Sequence, residues 1–267
     1  MIVVGEKING TRSDVQSIID RRDDSGLLEL ARAQALAGAR FIDINVATGT
    51  GSRADEVEAM AWAVGLVARE LDTGICIDSA DPLVLEAGLQ AKGSREALIN
   101  SAKADDETLD PVVSLAKRFQ SPVVGLAMNH EGIPRTAEAR VAACDVIATA
   151  CDRASLSRDM VFFDPLVLPV STDINQANVT LETIRRVKEL FPGSKTVLGL
   201  SNVSFGLPDR SRVNSAFLHM AALAGLDAAI ADPMDRELMF AVKTANLLMG
   251  RDRHCRKYVR AFKGHTS

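Results

Sequence analysis

Short apolar runs alternate with amphipathic stretches from one end of the chain to the other. The runs are IVVGEKI (2–8), FIDINV (41–46), GICIDS (74–79), ALINSA (97–102), PVVGLAM (122–128), VFFDPL (161–166), TVLGLSN (196–202) and AAIADP (228–233). Each is rich in Val, Ile or Leu and nearly continuous, the pattern required of parallel strands covered on both faces. Between them the spacing predicts helices over 26–38, 54–70, 83–91, 107–118, 136–154, 177–190, 213–224 and 235–249, one after each strand. The clearest is 54–70, where Val57, Met60, Ala61, Val64, Val67 and Ala68 form one stripe. In 26–38, Leu28, Ala31 and Ala35 make one repeat and Leu30, Ala33 and Ala37 another, whereas Gln34 interrupts the stripe that starts at Leu27. Gly38, Gly93, Gly193 and Gly225 follow periodic segments, where helices end in residues that tolerate the left-handed conformation.

Eight strand–helix units in 267 residues predict an α/β fold, a closed (β/α)8 barrel of the TIM type. An open doubly wound sheet would carry a glycine-rich phosphate turn after its first strand, and GEKINGT is not one. No linker or shift of composition divides the chain, so residues 1–267 are read as one domain. The residues after 250 read as a basic tail with an apolar anchor at Tyr258, Val259 and Phe262.

Polar residues gather at the C-terminal ends of these strands, where a barrel keeps its active site. They are Glu6 and Asn9, Asp43 and Asn45, Asp78 and Ser79, Asn100 and Ser101, Met128 followed by Asn129, Asp164, Ser201 and Asn202, and Asp232. For any one of them the ordinary explanation is a hydrogen-bonded turn or cap. Repeated on every strand, they describe a cup of amides and carboxylates, poor in Lys and His. Such a cup suits a neutral heterocycle: Asp accepts from ring N–H and exocyclic NH2 groups, and Asn both donates and accepts. The pyrimidine edge of a pterin presents that pattern. A phosphate-bearing substrate would call for backbone amides and cations instead. Met128 either lines the pocket or fills the barrel. His130 reads as a surface histidine, and Trp62 as packing.

Composition is that of an ordinary globular chain, 47% hydrophobic and 25% charged. A net charge of −4 without long charged runs speaks against nucleic-acid or membrane partners. MIVVGEKING lacks the features of an export signal, and no apolar stretch approaches the roughly 20 residues of a membrane span, so a cytoplasmic protein is expected. Cys76, Cys144, Cys151 and Cys255 form no CxxC pair and read as buried thiols. With four scattered histidines they offer no metal site.

Read together, VVGEKING, DINVA, CIDSA, ALINS, GLAMNHEGIP, FFDPLVLP, KTVLGLSNVSFGLP and AFLHMAALAGLDAAIADP resemble the pterin-binding methyltransferases. These move a methyl group between methyltetrahydrofolate and a corrinoid; the likeness is to the corrinoid/iron-sulfur protein methyltransferase of acetogens and its relatives. It runs from residue 3 to about residue 262. The resemblance implies that Asp78, Asn100 and Asp164 hold the pterin ring and that Asn202 contacts its N5 region, with Gly199 and Ser201 in the same motif. An arginine facing the folate tail would be Arg210, with Arg212 close by. Phe205 stands where the acetogen enzyme has a polar residue.

What this implies is a displacement at the N5 methyl, with Asn202 as catalytic residue giving a hydrogen bond that strengthens as N5 becomes cationic. No strong general acid is evident, and water is expected to bring the proton. The substrates would be tetrahydrofolate or 5-methyltetrahydrofolate and a corrinoid (cobalamin) supplied by a separate partner protein, since the chain has no DxHxxG run. No protein-bound metal is expected. A homodimer is implied. A dihydropteroate synthase-like enzyme is disfavoured by NGTRSDVQS after the first strand and by DPL after the sixth. A non-catalytic folate-binding or corrinoid-docking subunit is disfavoured by Asn202 standing together with both aspartates.

Overall fold

A computed structural model describes residues 1–105 and 107–262. Strands β1 (Ile2–Asn9), β2 (Phe41–Asn45), β3 (Gly74–Asp78), β4 (Ala97–Ala104), β5 (Val123–Asn129), β6 (Val161–Asp164), β7 (Lys195–Gly199) and β8 (Ala228–Ala231) form a closed parallel barrel in sequence order. β8 returns to β1 with Ile2 opposite Ala228 and Gly5 opposite Ala231, which closes the ring. The (β/α)8 architecture is therefore the one the periodicity predicts.

Strand alternation sorts the side chains into two sets. Val4, Phe41, Cys76, Leu98, Val124, Phe162, Val197 and Ala228 meet in one buried cluster inside the barrel. Their neighbours in sequence, such as Ile42, Ile75, Ile99, Val123, Phe163 and Leu198, point outward and pack under the helices. Two residues further along β2, β3, β4 and β6, the inward position becomes polar: Asp43, Asp78, Asn100 and Asp164. The period of two thus carries the floor of the barrel up into the cup.

The helical shell is α1 (Ser13–Arg21), α2 (Asp24–Leu36), α3 (Arg53–Glu70), α4 (Pro82–Ala91), α5 (Leu109–Phe119), α6 (Ala137–Arg153), α7 (Gln176–Leu190), α8 (Arg210–Ala224), α9 (Arg236–Leu248) and α10 (Arg256–Phe262). Gly38, Gly93, Gly193 and Gly225 all have positive φ, as their places after helices require.

Several expectations need correction. Two helices, not one, follow β1. The segment read as a loop contains α1, which buries Val15 and Ile19, and it ends on Arg22 at φ 51, a left-handed stop with no glycine to announce it. In α2 the inner face is Leu27, Ala31 and Gln34, the very stripe that Gln34 was expected to interrupt. The β1–β2 register shifts between Gly5 and Ile8. There the Lys7 N–H donates to Gln34 Oε1 at 2.9 Å, while Gln34 Nε2 donates to the Leu30 carbonyl at 3.3 Å. A Cβ on Gly5 would lie 2.5 Å from that oxygen, so glycine makes room for the amide. Gln34 is buried because a strand irregularity needs its acceptor.

The predicted strands at 161–166, 196–202 and 228–233 run past the observed ends at Asp164, Gly199 and Ala231. Residues Leu200–Ser204 form a 3₁₀ turn instead. In α10, Tyr258 and Phe262 stack at 4.6 Å, and Phe262 lies 4.9 Å from Phe240 of α9. Val259 is 47% exposed and is no part of the anchor, and residues 263–267 of the tail lie outside the described residues. Cys76, Cys144 and Cys151 are buried, but Cys255 is exposed. Trp62 packs against the core, with its indole donating to Asp24.

Candidate functional site

The polar residues at the strand ends fall into two groups. Asn9, Asn45, Ser79, Asn129, Asp164 and Asp232 each accept, through a side-chain oxygen, the backbone N–H two residues ahead, at 2.7–3.1 Å. This is the local turn that Asn, Asp and Ser favour after a strand. Glu6, Asp43, Asp78 and Asn100 belong to the second group, which turns toward the barrel axis. Asp164 belongs to both, buried with its Oδ1 on the Leu166 N–H at 2.7 Å.

These inward groups form a connected floor. Asn45 Nδ2 donates to Asp78 Oδ2 at 2.9 Å, which fixes that carboxylate and leaves Oδ1 as a further acceptor. Asn100 Nδ2 donates to Asp43 Oδ1 at 3.4 Å, which leaves the Asn100 carbonyl as an acceptor. Asp43 lies deepest, with Cys76 and Asn100 as hydrogen-bonding neighbours. On the β2–β4 side of this floor opens a cavity of about 430 Å³ whose lining includes Asn45, Asp78, Ser79, Asp81, Ser101 and Lys103. The cleft beside His130, about 550 Å³, lies under the β5–α6 loop and includes none of these carboxylates. Inward alternation on β5 runs Val124, Leu126, Met128, so Met128 follows Leu126 toward the rim and is half-buried there. His130 is exposed.

Burial raises the carboxyls of Glu6, Asp43, Asp78 and Asp164. Asp164 is pushed up to about 7 by desolvation, against the pull of the Leu166 and Gly199 N–H groups and of the Arg140 charge. Desolvation also raises Asp78, and it holds Asp43 well above the usual range, with the Asp78 charge adding to the effect. Glu6 reaches about 6, again chiefly by desolvation. The cup therefore carries less negative charge at neutral pH than its formula suggests.

The 3₁₀ turn after β7 supplies the opposite wall. Ser201 Oγ donates to Glu6 Oε2 at 3.2 Å across the mouth. An added Cβ on Gly199 would meet Asn202 Nδ2 at 3.1 Å, so the Asn202 amide lies over that glycine. Arg210 clasps the turn, Nη2 on the Ser201 carbonyl at 2.6 Å and Nε on Ser204 Oγ at 3.0 Å. Phe205 is largely exposed beside it, 6.0 Å from the Arg210 guanidinium.

The donor and acceptor set just described fits the edge of a pterin, and the family match agrees: the pterin binding enzymes match residues 5–232. The chain belongs to that family. Over 265 residues this pterin-binding chain is 32% identical to the methylcorrinoid:tetrahydrofolate methyltransferase of Eubacterium limosum, covering 98% of itself and 96% of that protein. It is 30% identical over 244 residues to the methionine synthase of Mycobacterium tuberculosis, matching 86% of itself but 20% of that longer protein. The crystal structure of 7,8-dihydropteroate synthase from Vibrio fischeri ES114 superposes with a TM-score of 0.71 at 20% identity, covering 93% of each chain. At that identity the likeness is one of fold.

Among the site residues named from sequence, Asp78, Asn100 and Asp164 lie on the inner face, Gly199, Ser201 and Asn202 lie at the end of β7 and in the turn after it, and Arg210 at the start of α8 holds that turn. Sequence reasoning passed over three others. Asp43 and Glu6 were visible as strand-end carboxylates, but nothing local told them from turn formers. Arg140 gave no signal beyond its place in an otherwise small-residue helix face. It is fully buried on α6, and its guanidinium donates to Pro134 O at 2.8 Å, Pro165 O at 3.2 Å, Leu166 O at 2.8 Å, Thr180 Oγ1 at 3.1 Å and Gln176 Oε1 at 2.6 Å. It thereby ties the β5–α6 loop to the loop that follows Asp164.

Among the described residues no group of His, Cys, Asp and Glu is placed to hold a metal ion, and no helix is long and apolar enough to cross a membrane.

Proposed function

We propose that the chain is a methyltransferase that moves a methyl group between N5 of a tetrahydrofolate and the cobalt of a corrinoid carried by a separate protein. The observation that carries this is the convergence of Asp78, Asn100 and Asp164 on one inner face, opposite the Asn202 turn. The full-length likeness to a methylcorrinoid:tetrahydrofolate methyltransferase supports it.

In this reading the free Asp78 oxygen and the Asp164 carboxyl accept from the ring's N–H and NH2 groups, and the Asn100 carbonyl completes the edge. Together they hold the ring with N5 under the mouth, in line for displacement. Asn202 presents its amide to N5 and binds it more strongly as charge develops there. Met128 borders the ring at the rim. Arg210 keeps Ser201 and Asn202 in place, and its remaining nitrogen faces the folate tail. The corrinoid protein docks over the mouth. A homodimer and a cytoplasmic location complete the proposal, the first open to light scattering.

The test is anaerobic mixing of the protein with methyltetrahydrofolate and free cob(I)alamin, and of methylcobalamin with tetrahydrofolate, followed by corrinoid absorbance. Conversion in either mixture, lost in Asn202→Ala, supports the reading. Folate binding without turnover, even with a cognate corrinoid protein, marks a binding subunit instead. No folate binding overturns the reading outright.

A further inference from the structure

Methyl transfer to tetrahydrofolate replaces an N5–H bond by an N5–C bond. The cobalt–carbon electron pair stays on cobalt, and one proton must leave N5. Transfer in the other direction returns that proton. Some group at the mouth has to hold it, since a tertiary amine leaves only when N5 gains a proton or its equivalent.

The mouth carboxyls can be compared one by one. Asp232 is ion-paired to Lys7 Nζ at 2.9 Å and accepts the Met234 N–H. Asp164 has one oxygen engaged by its turn, and Asp78 is fixed by Asn45. Asp43 sits beneath the floor, 4% exposed, behind Asn100. Glu6 differs from all of these. It accepts from a hydroxyl, Ser201 Oγ, and neither a turn N–H nor an ion pair within 4 Å holds it among the described contacts. A hydroxyl can pass a proton because it donates and accepts at once. Ser201 is the immediate neighbour of Asn202.

We infer that Glu6, acting through the Ser201 hydroxyl, is the group that takes the N5 proton when the methyl group goes to folate and returns it in the reverse direction. In the forward step the N5–H bond breaks as a Ser201 O–H bond forms, and the former Ser201 proton bonds to Glu6. This rests on the methyltransferase reading of the mouth. The charged groups facing Glu6 are Asp232, Lys7 and Arg210, with Asp43 below and Arg12 at the rim. Burial holds the Glu6 carboxyl at about 6, so it exchanges protons close to neutrality.

The experiment compares wild type with Glu6→Gln, Glu6→Asp and Ser201→Ala. Two readouts are taken from pH 5 to 8: the methyl-transfer rate, and calorimetric titration with tetrahydrofolate in buffers of different ionisation enthalpy, which counts protons exchanged on binding. Transfer to folate needs ionised Glu6, so the wild-type rate should rise with pH through about 6. Transfer from methylfolate needs the protonated form, so that rate should fall over the same range. Glu6→Gln should lose this limb and about 10²-fold in rate, with tetrahydrofolate affinity changed less than about threefold. Glu6→Asp should restore part of the rate and Ser201→Ala should not. A Glu6→Gln variant that keeps the limb overturns the inference, as does one whose rate and affinity fall together at every pH. If wild type transfers no methyl group, the methyltransferase reading fails separately. Calorimetry then still judges Glu6: proton exchange near pH 6 that is identical in wild type and Glu6→Gln rejects it.

Discussion

The amide of Asn202 lies directly over Gly199, so close that a methyl group on Gly199 would stand 3.1 Å from Asn202 Nδ2. Gly199 has φ −66, a conformation open to alanine. Gly199→Ala should therefore leave the fold and its melting temperature intact while displacing the Asn202 amide by a few tenths of an ångström. A fall in kcat of about tenfold is expected from such misplacement, with folate affinity nearly unchanged. Steady-state kinetics beside a thermal melt checks it, and an unaltered kcat would remove the geometric argument for Asn202.

Deleting that amide is the stronger test. Asn202→Ala should cost about 10²–10³-fold in methyl transfer, the usual worth of one preorganised donor at a developing charge. Folate binding, measured separately by calorimetry, should weaken far less. Parallel losses in both would show that Asn202 binds the ground state and the transition state equally.

Asp164 links the site to stability. Its folded-state carboxyl is raised to about 7, so the native chain holds the proton more tightly than the unfolded chain. The sign follows: the contribution to stability is most favourable below the unfolded value, declines as pH rises from about 4 to about 7, and is at its least above that. Asp164→Asn escapes this decline. The variant should match wild type near pH 5 and exceed it at pH 8 by about 1–3 kcal/mol, after allowance for the weaker acceptor offered to Leu166. Pterin binding should be lost. Urea unfolding at the two pH values decides; an equal difference at both would contradict the raised carboxyl.

Arg140 carries no catalytic atom to the mouth, yet it holds the loop after Asp164. Arg140→Met removes the guanidinium donors to the Pro134 and Pro165 carbonyls in a fully buried place, while the Leu166 carbonyl keeps the Thr180 hydroxyl. Bare buried carbonyls cost about 1–3 kcal/mol each, so a drop in melting temperature of about 10 °C is expected. Folate affinity should fall with it. A variant that melts like wild type would mean that these loops hold themselves.

Much of the barrel was written in local pattern. Eight apolar runs, each followed by a helical period, suffice for a (β/α)8 barrel, because a strand covered on both faces and a helix covered on one leave different signatures. The same period of two placed Asp78, Asn100 and Asp164 on the inner face, above Cys76, Leu98 and Phe162. Helix α1 escaped notice because nine residues that bury only Val15 and Ile19 leave too short a signature.

Other features depend on partners distant in sequence. Whether a strand-end Asn or Asp closes its own turn, as Asn9 and Asn129 do, or turns to the axis, as Asn100 does, depends on the strands beside it. Gln34 is buried because β1 loses register 27 residues away. Glu6 meets Ser201 across 195 residues of chain only because β1 and β7 both flank β8. The sequence by itself determined the barrel and the polarity of its mouth, since periodicity acts over neighbouring residues. The tertiary structure alone decided which carboxyls are paired, buried or able to exchange a proton, since closing the ring sets those distances and the exclusion of water.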